Sequence, residues 1–110
     1  MPFYMFQGRY STDSLKSLIE NPEDRAGPVG ALMESVGGKL HDLFFCFGKE
    51  DVVAIIEAPD DETAAACALV VGASGTLAGG GTTKLMTSTE AVAAMKKAGA
   101  AAAGFRAVGG

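Results

Sequence analysis

The chain has 110 residues, a mass of 11.2 kDa and a net charge of -4 at neutral pH. With 48% apolar and 20% charged residues, it is expected to fold as one domain. The acidic balance excludes the basic surface that nucleic-acid binding requires, and no apolar run approaches the roughly 20 residues of a membrane helix.

The N-terminus and the cysteines predict a cytoplasmic protein. Met1-Pro2-Phe3-Tyr4 contains no basic region, so we expect no signal peptide. Cys46 and Cys67 belong to no Cys-x-x-Cys pair, and the chain has one histidine. We therefore expect free thiols, no metal site and no cofactor.

The first third of the sequence predicts a strand and two helices. The strand is the aromatic-rich segment from Phe3 to Tyr10. A short helix follows, capped within Ser11-Thr12-Asp13. The second helix starts either at Asn21-Pro22 or near Gly27, because Pro28 lacks a backbone donor. Its apolar positions recur at helical spacing, and they are Val29, Leu32, Met33 and Val36.

The middle of the chain predicts two strands joined by a turn. They cover Lys39–Phe47 and Val52–Glu57, with Gly48-Lys49-Glu50-Asp51 between them. Strict alternation along the first of these strands places His41 and Asp42 on opposite faces. The second is apolar on both sides, so both faces of the sheet need cover. One chain of this length has too few helices for that, which predicts a homodimer or a dimer-based oligomer.

The last part predicts a helix, a strand and a further helix. Asp60-Asp61-Glu62 opens the first helix, where acidic groups suit the positive end of the dipole. The strand runs from Thr76 to Met86, and Thr87 to Glu90 form a capping box for the last helix. The Ala/Gly-rich segment Ala98–Gly110 is expected to fray or to lie loosely on the surface.

The resulting order is β-α-β-β-α-β with an extra helix, which predicts a ferredoxin-like α+β fold with a four-stranded antiparallel sheet. This fold hosts many unrelated activities, so it names no function.

Three stretches resemble a known family of small bacterial proteins, the GYD-domain family. They are Pro22–Ala26, Val36–Leu40 and Phe47–Asp61, and the similarity extends from about Tyr4 to Met95. The resemblance implies a single domain of the dimeric α/β-barrel group and carries no established activity. Glu50 stands where the family has the tyrosine of its Gly-Tyr-Asp turn, and Pro28 where it has an ordinary helix former.

Two functions from different classes stay open. The first is a non-catalytic oligomer that binds a small apolar or aromatic molecule between sheet and helices, where Tyr4, Phe6, His41 and Phe45 are the candidate contacts. The second is a cofactor-independent monooxygenase or isomerase in which His41 or Tyr4 handles protons. An enclosed pocket of roughly 300 Å³ or more with either residue on its wall favours the enzyme.

The glycine run and the scattered basic residues predict no phosphate site. Gly79-Gly80-Gly81 lies within a strand, and Lys84 does not directly follow a glycine as a P-loop lysine does. Glycines in a strand mark a bulge or a close backbone approach. We therefore expect this run to meet a partner subunit at the edge of the sheet.

Overall fold

The structure is a computed structural model that describes residues 1–110. It contains four strands and four helices in the following order: β1 (Phe3–Tyr10), α1 (Thr12–Glu20), α2 (Ala26–Ser35), β2 (Lys39–Phe45), β3 (Val52–Glu57), α3 (Asp61–Ala73), β4 (Leu77–Leu85) and α4 (Ser88–Ala102). No helix combines the length and the apolarity needed to cross a bilayer.

The four strands form one antiparallel sheet in the order β2-β3-β1-β4. This order confirms the ferredoxin-like α+β fold predicted from the sequence. Strands β2 and β4 are the two edges. Helix α2 packs on β2 and α3 on β4, so one side of the sheet is the helix face. We call the other side the open face, because no helix of the chain covers it.

The core lies between the helix face and helices α2 and α3. Alternation along β3 buries Val52, Ala54 and Ile56 and leaves Val53 and Ile55 half-buried on the open face. The contiguous buried cluster consists of Tyr4, Met33, Ala54, Ile56, Ala58, Ala64 and Cys67. Because only 10 of 110 residues are buried, this core is small for a chain of this length.

The helix starts follow the capping residues of the sequence. Ser11 accepts the backbone N–H of Ser14 at 3.2 Å, and Asp60 accepts that of Thr63 at 2.8 Å. Helix α2 begins at Ala26, which selects the later of its two predicted starts. Pro28 then lies in the first turn, where no intrahelical bond requires its missing N–H. Gly37 follows the end of the helix with φ +78°, a left-handed conformation that glycine adopts without strain.

The prediction that His41 and Asp42 lie on opposite faces of the sheet is wrong, because β2 contains a bulge. Leu40 pairs with Ile56 and Asp42 pairs with Ile55, so one residue of β3 is opposite both His41 and Asp42. The extra residue reverses the alternation beyond it. Paired residues share a face, so His41 and Asp42 both lie on the open face. Leu43 and Phe45 then turn to the helix face.

The glycine run of β4 confirms the predicted close backbone approach, but the neighbour belongs to the same chain. Gly80 has φ +148°, and a Cβ built there would lie 2.2 Å from the carbonyl oxygen of Gln7 in β1. Only glycine fits this position. A Cβ on Gly81 would meet nothing within 4 Å.

Helix α4 extends from the body of the molecule. It continues through Ala102, further than predicted, and only Ala91 in it is half-buried. The radius of gyration is 17.8 Å and the longest dimension 59 Å. A compact domain of this length has a radius of gyration of about 13 Å. The elongated shape therefore comes from an element that lacks a packing partner within its own chain.

Candidate functional site

A small apolar cavity lies between the helix face of the sheet and helices α2 and α3. Its volume is about 80 Å³, and 14 of its 17 lining residues are hydrophobic. The wall includes Phe6 and Ala54 from the sheet, Met33 from α2, and Cys67 and Ala68 from α3. The residues of α3 that face the cavity include Ala64, Cys67 and Ala68, whose small side chains leave this space unfilled.

Tyr10 and Arg25 connect the cavity to two surface grooves. Both residues line the cavity, a polar groove of about 500 Å³ beside α1, and a third groove of about 360 Å³ near β2. Tyr10 is buried, and its burial raises the pKa of its phenol, although the nearby Arg25 guanidinium acts in the opposite direction. Arg25 forms an ion pair with Glu23. These residues give the apolar cavity a polar mouth.

Tyr4, Asp61 and Lys84 form a polar cluster at the start of α3. The Tyr4 hydroxyl donates to Asp61 Oδ1 at 2.6 Å, and Lys84 Nζ lies 2.9 Å from the same oxygen. Burial raises the pKa of Tyr4 to about 12, and the hydrogen bond to Asp61 adds to the effect. The hydrogen bonds from Tyr4 and Lys84 lower the pKa of Asp61. At neutral pH this cluster consists of a protonated phenol, a carboxylate and an ammonium group.

The Tyr4 cluster borders a groove rather than the apolar cavity. This open groove has a volume of about 490 Å³ and runs between α3 and β4, with Ala65, Leu69 and Thr82 on its wall. A phenol with a pKa near 12 holds its proton at neutral pH. The one O–H donor of Tyr4 is therefore engaged by Asp61 rather than free for a molecule in this groove.

His41 lies on the open face, where it contacts Glu57 and Phe3. The His41 Nε2 atom is 2.5 Å from Glu57 Oε1, and the His41 and Phe3 ring centroids are 5.3 Å apart. The side chain of His41 is 28% exposed. The imidazole and the carboxylate thus form a polar pair beside the Phe3 ring on this face of the sheet.

The structure separates the four candidate contacts predicted from the sequence. Phe6 lines the apolar cavity, whereas Tyr4 lines the groove between α3 and β4. Phe45 lines the groove near β2 and is 63% exposed. His41 lies across the sheet from all three. Neither of the proposed proton-handling residues, His41 and Tyr4, is on the cavity wall.

The turn between β2 and β3 is anchored to the sheet through Asp51. Its carboxylate Oδ2 accepts the backbone N–H of Tyr10 at 3.0 Å, and its own N–H donates to the Gly8 carbonyl at 2.8 Å. Glu50 lies 3.7 Å from Arg9, and its Oε2 atom is buried without a hydrogen-bond partner.

Both cysteines are free thiols, as predicted. Cys46 is half-buried, and its thiol donates to the Glu50 carbonyl at 3.1 Å. Cys67 is buried beside the cavity, and burial raises the pKa of its thiol. The structure contains no group of three or more His, Cys, Asp or Glu residues placed to hold a metal ion.

Sequence reasoning missed the link between Asp61 and Lys84. It assigned Asp61 to the helix dipole and considered Lys84 as a P-loop lysine, which it excluded. The link arises only in the folded sheet, where Tyr4 pairs with Lys84 across β1 and β4 and both point to the helix face. The register that brings them together depends on nonlocal strand pairing, which periodicity does not reveal.

Comparison with known proteins gives one finding. A family model described as GYD domain matches residues 4–95. No curated protein and no solved structure matches the chain.

Proposed function

We propose that this chain, which belongs to the GYD domain family, is a homodimer that binds a small apolar or aromatic molecule between its sheet and its helices. The observation that carries the proposal is the apolar cavity walled by Phe6, Met33, Ala54 and Cys67. Ligand sites are concave and mostly apolar, with a few polar groups that orient the ligand. Tyr10 and Arg25 supply such groups at the cavity mouth.

The volume of the cavity limits the size of the group that can bind inside it. Its 80 Å³ is smaller than the engineered apolar cavity of about 150 Å³ that binds benzene. The buried part of the ligand is therefore a compact apolar group, and an aromatic ring requires the flexible Met33 side chain to move. The rest of the ligand lies in the polar groove beside α1, which shares Tyr10 and Arg25 with the cavity.

The open face of the sheet supports the dimer. It presents Phe3, Met5, Val53 and Ile55, together with Phe44, which is 61% exposed. The accessible surface is 7436 Å². A compact monomer of this mass exposes roughly 5,700 Å². The excess is comparable with the area that each chain loses in a large obligate interface.

The positions of His41 and Tyr4 support binding over catalysis. A general acid or base has to come within hydrogen-bond reach of the reacting group. His41 lies on the other side of the sheet from the cavity, and Tyr4 lines the separate groove between α3 and β4. A molecule in the cavity therefore contacts neither of them.

Thermal unfolding with benzene or indole as the probe tests the proposal. With the probe at about ten times its dissociation constant, the melting temperature should rise by roughly 5 °C or more. Ala68→Leu places a larger side chain in the cavity and should abolish the rise. Ala66→Leu, on the exposed side of the same helix, is the matched control and should retain it.

His41→Ala is the second control, and it should retain the rise because residue 41 faces away from the cavity. If neither probe stabilises the parent protein, the binding proposal is wrong. If His41→Ala abolishes the rise while Ala68→Leu keeps it, the ligand lies on the open face.

A further inference from the structure

We propose that α4 of one copy of this chain docks into a groove between α1 and β2 of a second copy. This groove, which we call the α1–β2 groove, is lined by Leu18, Pro22, Leu43 and Phe45, with Glu23 and Asp24 at its rim. The contact is additional to the sheet pairing proposed above and does not depend on it.

The first observation is that α4 has an uncovered apolar stripe. Val92, Met95, Gly99 and Ala102 recur at helical spacing along one side, and Lys96 lies directly beside Val92. Val92 is 48% exposed and Met95 is 66% exposed. A helix of 15 residues is marginal in water without tertiary packing. The capping box at Thr87 secures its start and covers none of this stripe.

The second observation is that α1 also lacks packing on its apolar side. The helix contains no buried residue. Leu15 and Ile19 are exposed, Ile19 to 79%, while Leu18 forms part of the groove wall. Phe45, on the helix face of β2, is 63% exposed beside them. The α1–β2 groove is therefore an apolar surface of about 360 Å³ in volume that no element of the same chain fills.

The charges of the two surfaces are complementary. Residues 88–110 carry three basic side chains, Lys96, Lys97 and Arg106, and one acidic side chain, Glu90. Residues 1–87 carry six basic and twelve acidic side chains, so the body has a net charge of -6 and the α4 segment +2. The groove has two carboxylates and one guanidinium, Arg25, which already pairs with Glu23. A basic amphipathic helix in an acidic apolar groove is a recurring recognition mode.

The occupant is a second copy because the chain cannot fold α4 into its own groove. Helix α4 follows β4, whereas the groove lies beside β2 at the opposite edge of the sheet. Three strand spacings separate these edges, about 14 Å, and helices α2 and α3 occupy the layer between them. In a two-fold assembly the contact forms twice, so each contact needs to bury only half of a stable interface.

Charge reversal in separate chains tests the proposal on the full-length protein. One variant is Lys96→Glu with Lys97→Glu on α4, and the other is Glu23→Lys with Asp24→Lys at the rim of the groove. All four side chains are exposed, so both variants should fold. The readout is amide hydrogen exchange of residues 88–102 in the ¹⁵N-labelled α4 variant.

In the parent protein, α4 should be protected at high concentration and should lose protection on dilution. Each variant alone should lose roughly tenfold or more of that protection. Mixing the labelled α4 variant with the unlabelled groove variant should restore it, because the reversed charges then meet between chains. The matched control is an unlabelled chain that carries Ala66→Lys, at an exposed position of α3, instead of the groove substitutions. Mixing with this chain should restore no protection of α4.

Three outcomes overturn the proposal. If α4 is unprotected at every concentration, it does not dock on a second copy, and its apolar stripe serves a different partner. Protection that survives both charge reversals shows that α4 docks elsewhere. Protection that returns only when all four changes are in one chain, and not on mixing, shows that α4 docks on its own body.

Discussion

The single side chain of Asp51 anchors the turn between β2 and β3, which the sequence alone predicts as an ordinary polar turn. Its carboxylate binds the Tyr10 amide, and its backbone groups bind both Gly8 and Cys46. The turn therefore holds the end of β1 that carries Tyr10 to the cavity mouth. Lys49, two residues earlier, is exposed. The sequence shows both residues in a polar turn, and only the structure separates their roles.

Asp51→Ala should lower the free energy of unfolding by about 1–2 kcal/mol, because the Tyr10 N–H loses its acceptor at the edge of the core. Lys49→Ala should change it by no more than about 0.5 kcal/mol. Chemical denaturation of both variants beside the parent measures the difference. Equal effects of the two substitutions would contradict the role given to the Asp51 carboxylate.

The two tyrosines should ionise above their ordinary range. Burial raises the pKa of both, and that of Tyr4 to about 12. Because the folded state retains its protons where the unfolded state has lost them, stability should be complete below pH 10. It should then fall as the pH rises from 10 toward 12.

Absorbance titration of the phenolates measures this behaviour, and Tyr4→Phe should remove the higher of the two transitions. Titration of both residues near pH 10 in the folded protein would contradict the environments described here.

At the scale of elements, local signals predicted most of the fold. Side-chain caps at Ser11, Asp60 and Thr87 and the apolar spacing of α2 depend on neighbours within one or two turns, so the sequence displays them. The bulge at His41 is different, because it is defined by pairing with β3. The candidate contacts Tyr4, Phe6, His41 and Phe45 were grouped by residue type, and the sheet geometry assigns them to different surfaces.

Within β4, adjacent glycines should respond very differently to a side chain. Gly80→Ala should destabilise the protein by about 2 kcal/mol or more, because its Cβ meets the Gln7 carbonyl and its φ is positive. Gly81→Ala should be tolerated, since nothing lies within 4 Å of its Cβ. Thermal or chemical unfolding compares them. If Gly80→Ala is the milder substitution, the pairing of β1 with β4 is misassigned.

At the scale of the whole molecule, three surfaces lack cover: the open face of the sheet, the α1–β2 groove and the stripe of α4. An isolated chain with these surfaces has a small core and a large exposed area. The sequence indicated a dimer through the two-sided apolar strand β3, but it did not indicate that α1 would be left without buried residues. Packing between elements of separate copies is not encoded in local periodicity.

Ile55→Glu, made in a chain that also carries Lys96→Glu and Lys97→Glu so that α4 docking is lost, should give a monomer, because it places a second negative charge beside Asp42 on the open face. Light scattering should give twice 11.2 kDa for the parent and 11.2 kDa for the variant. Ala66→Lys, on the exposed side of α3, should leave the mass unchanged. A parent protein that remains monomeric at micromolar concentration refutes the dimer.

The central claim is that a small apolar molecule enters the cavity beneath α2 and α3, and the methyl group of Met33 reports on it most directly. Met33 is buried on the cavity wall, whereas Met86 and Met95 are exposed. The measurement is a methionine-methyl NMR titration with benzene or indole. The account predicts a saturable shift of the Met33 methyl signal that Ala68→Leu abolishes, with little change at Met86 and Met95. A Met33 signal that stays fixed while the exposed methionines shift would contradict it.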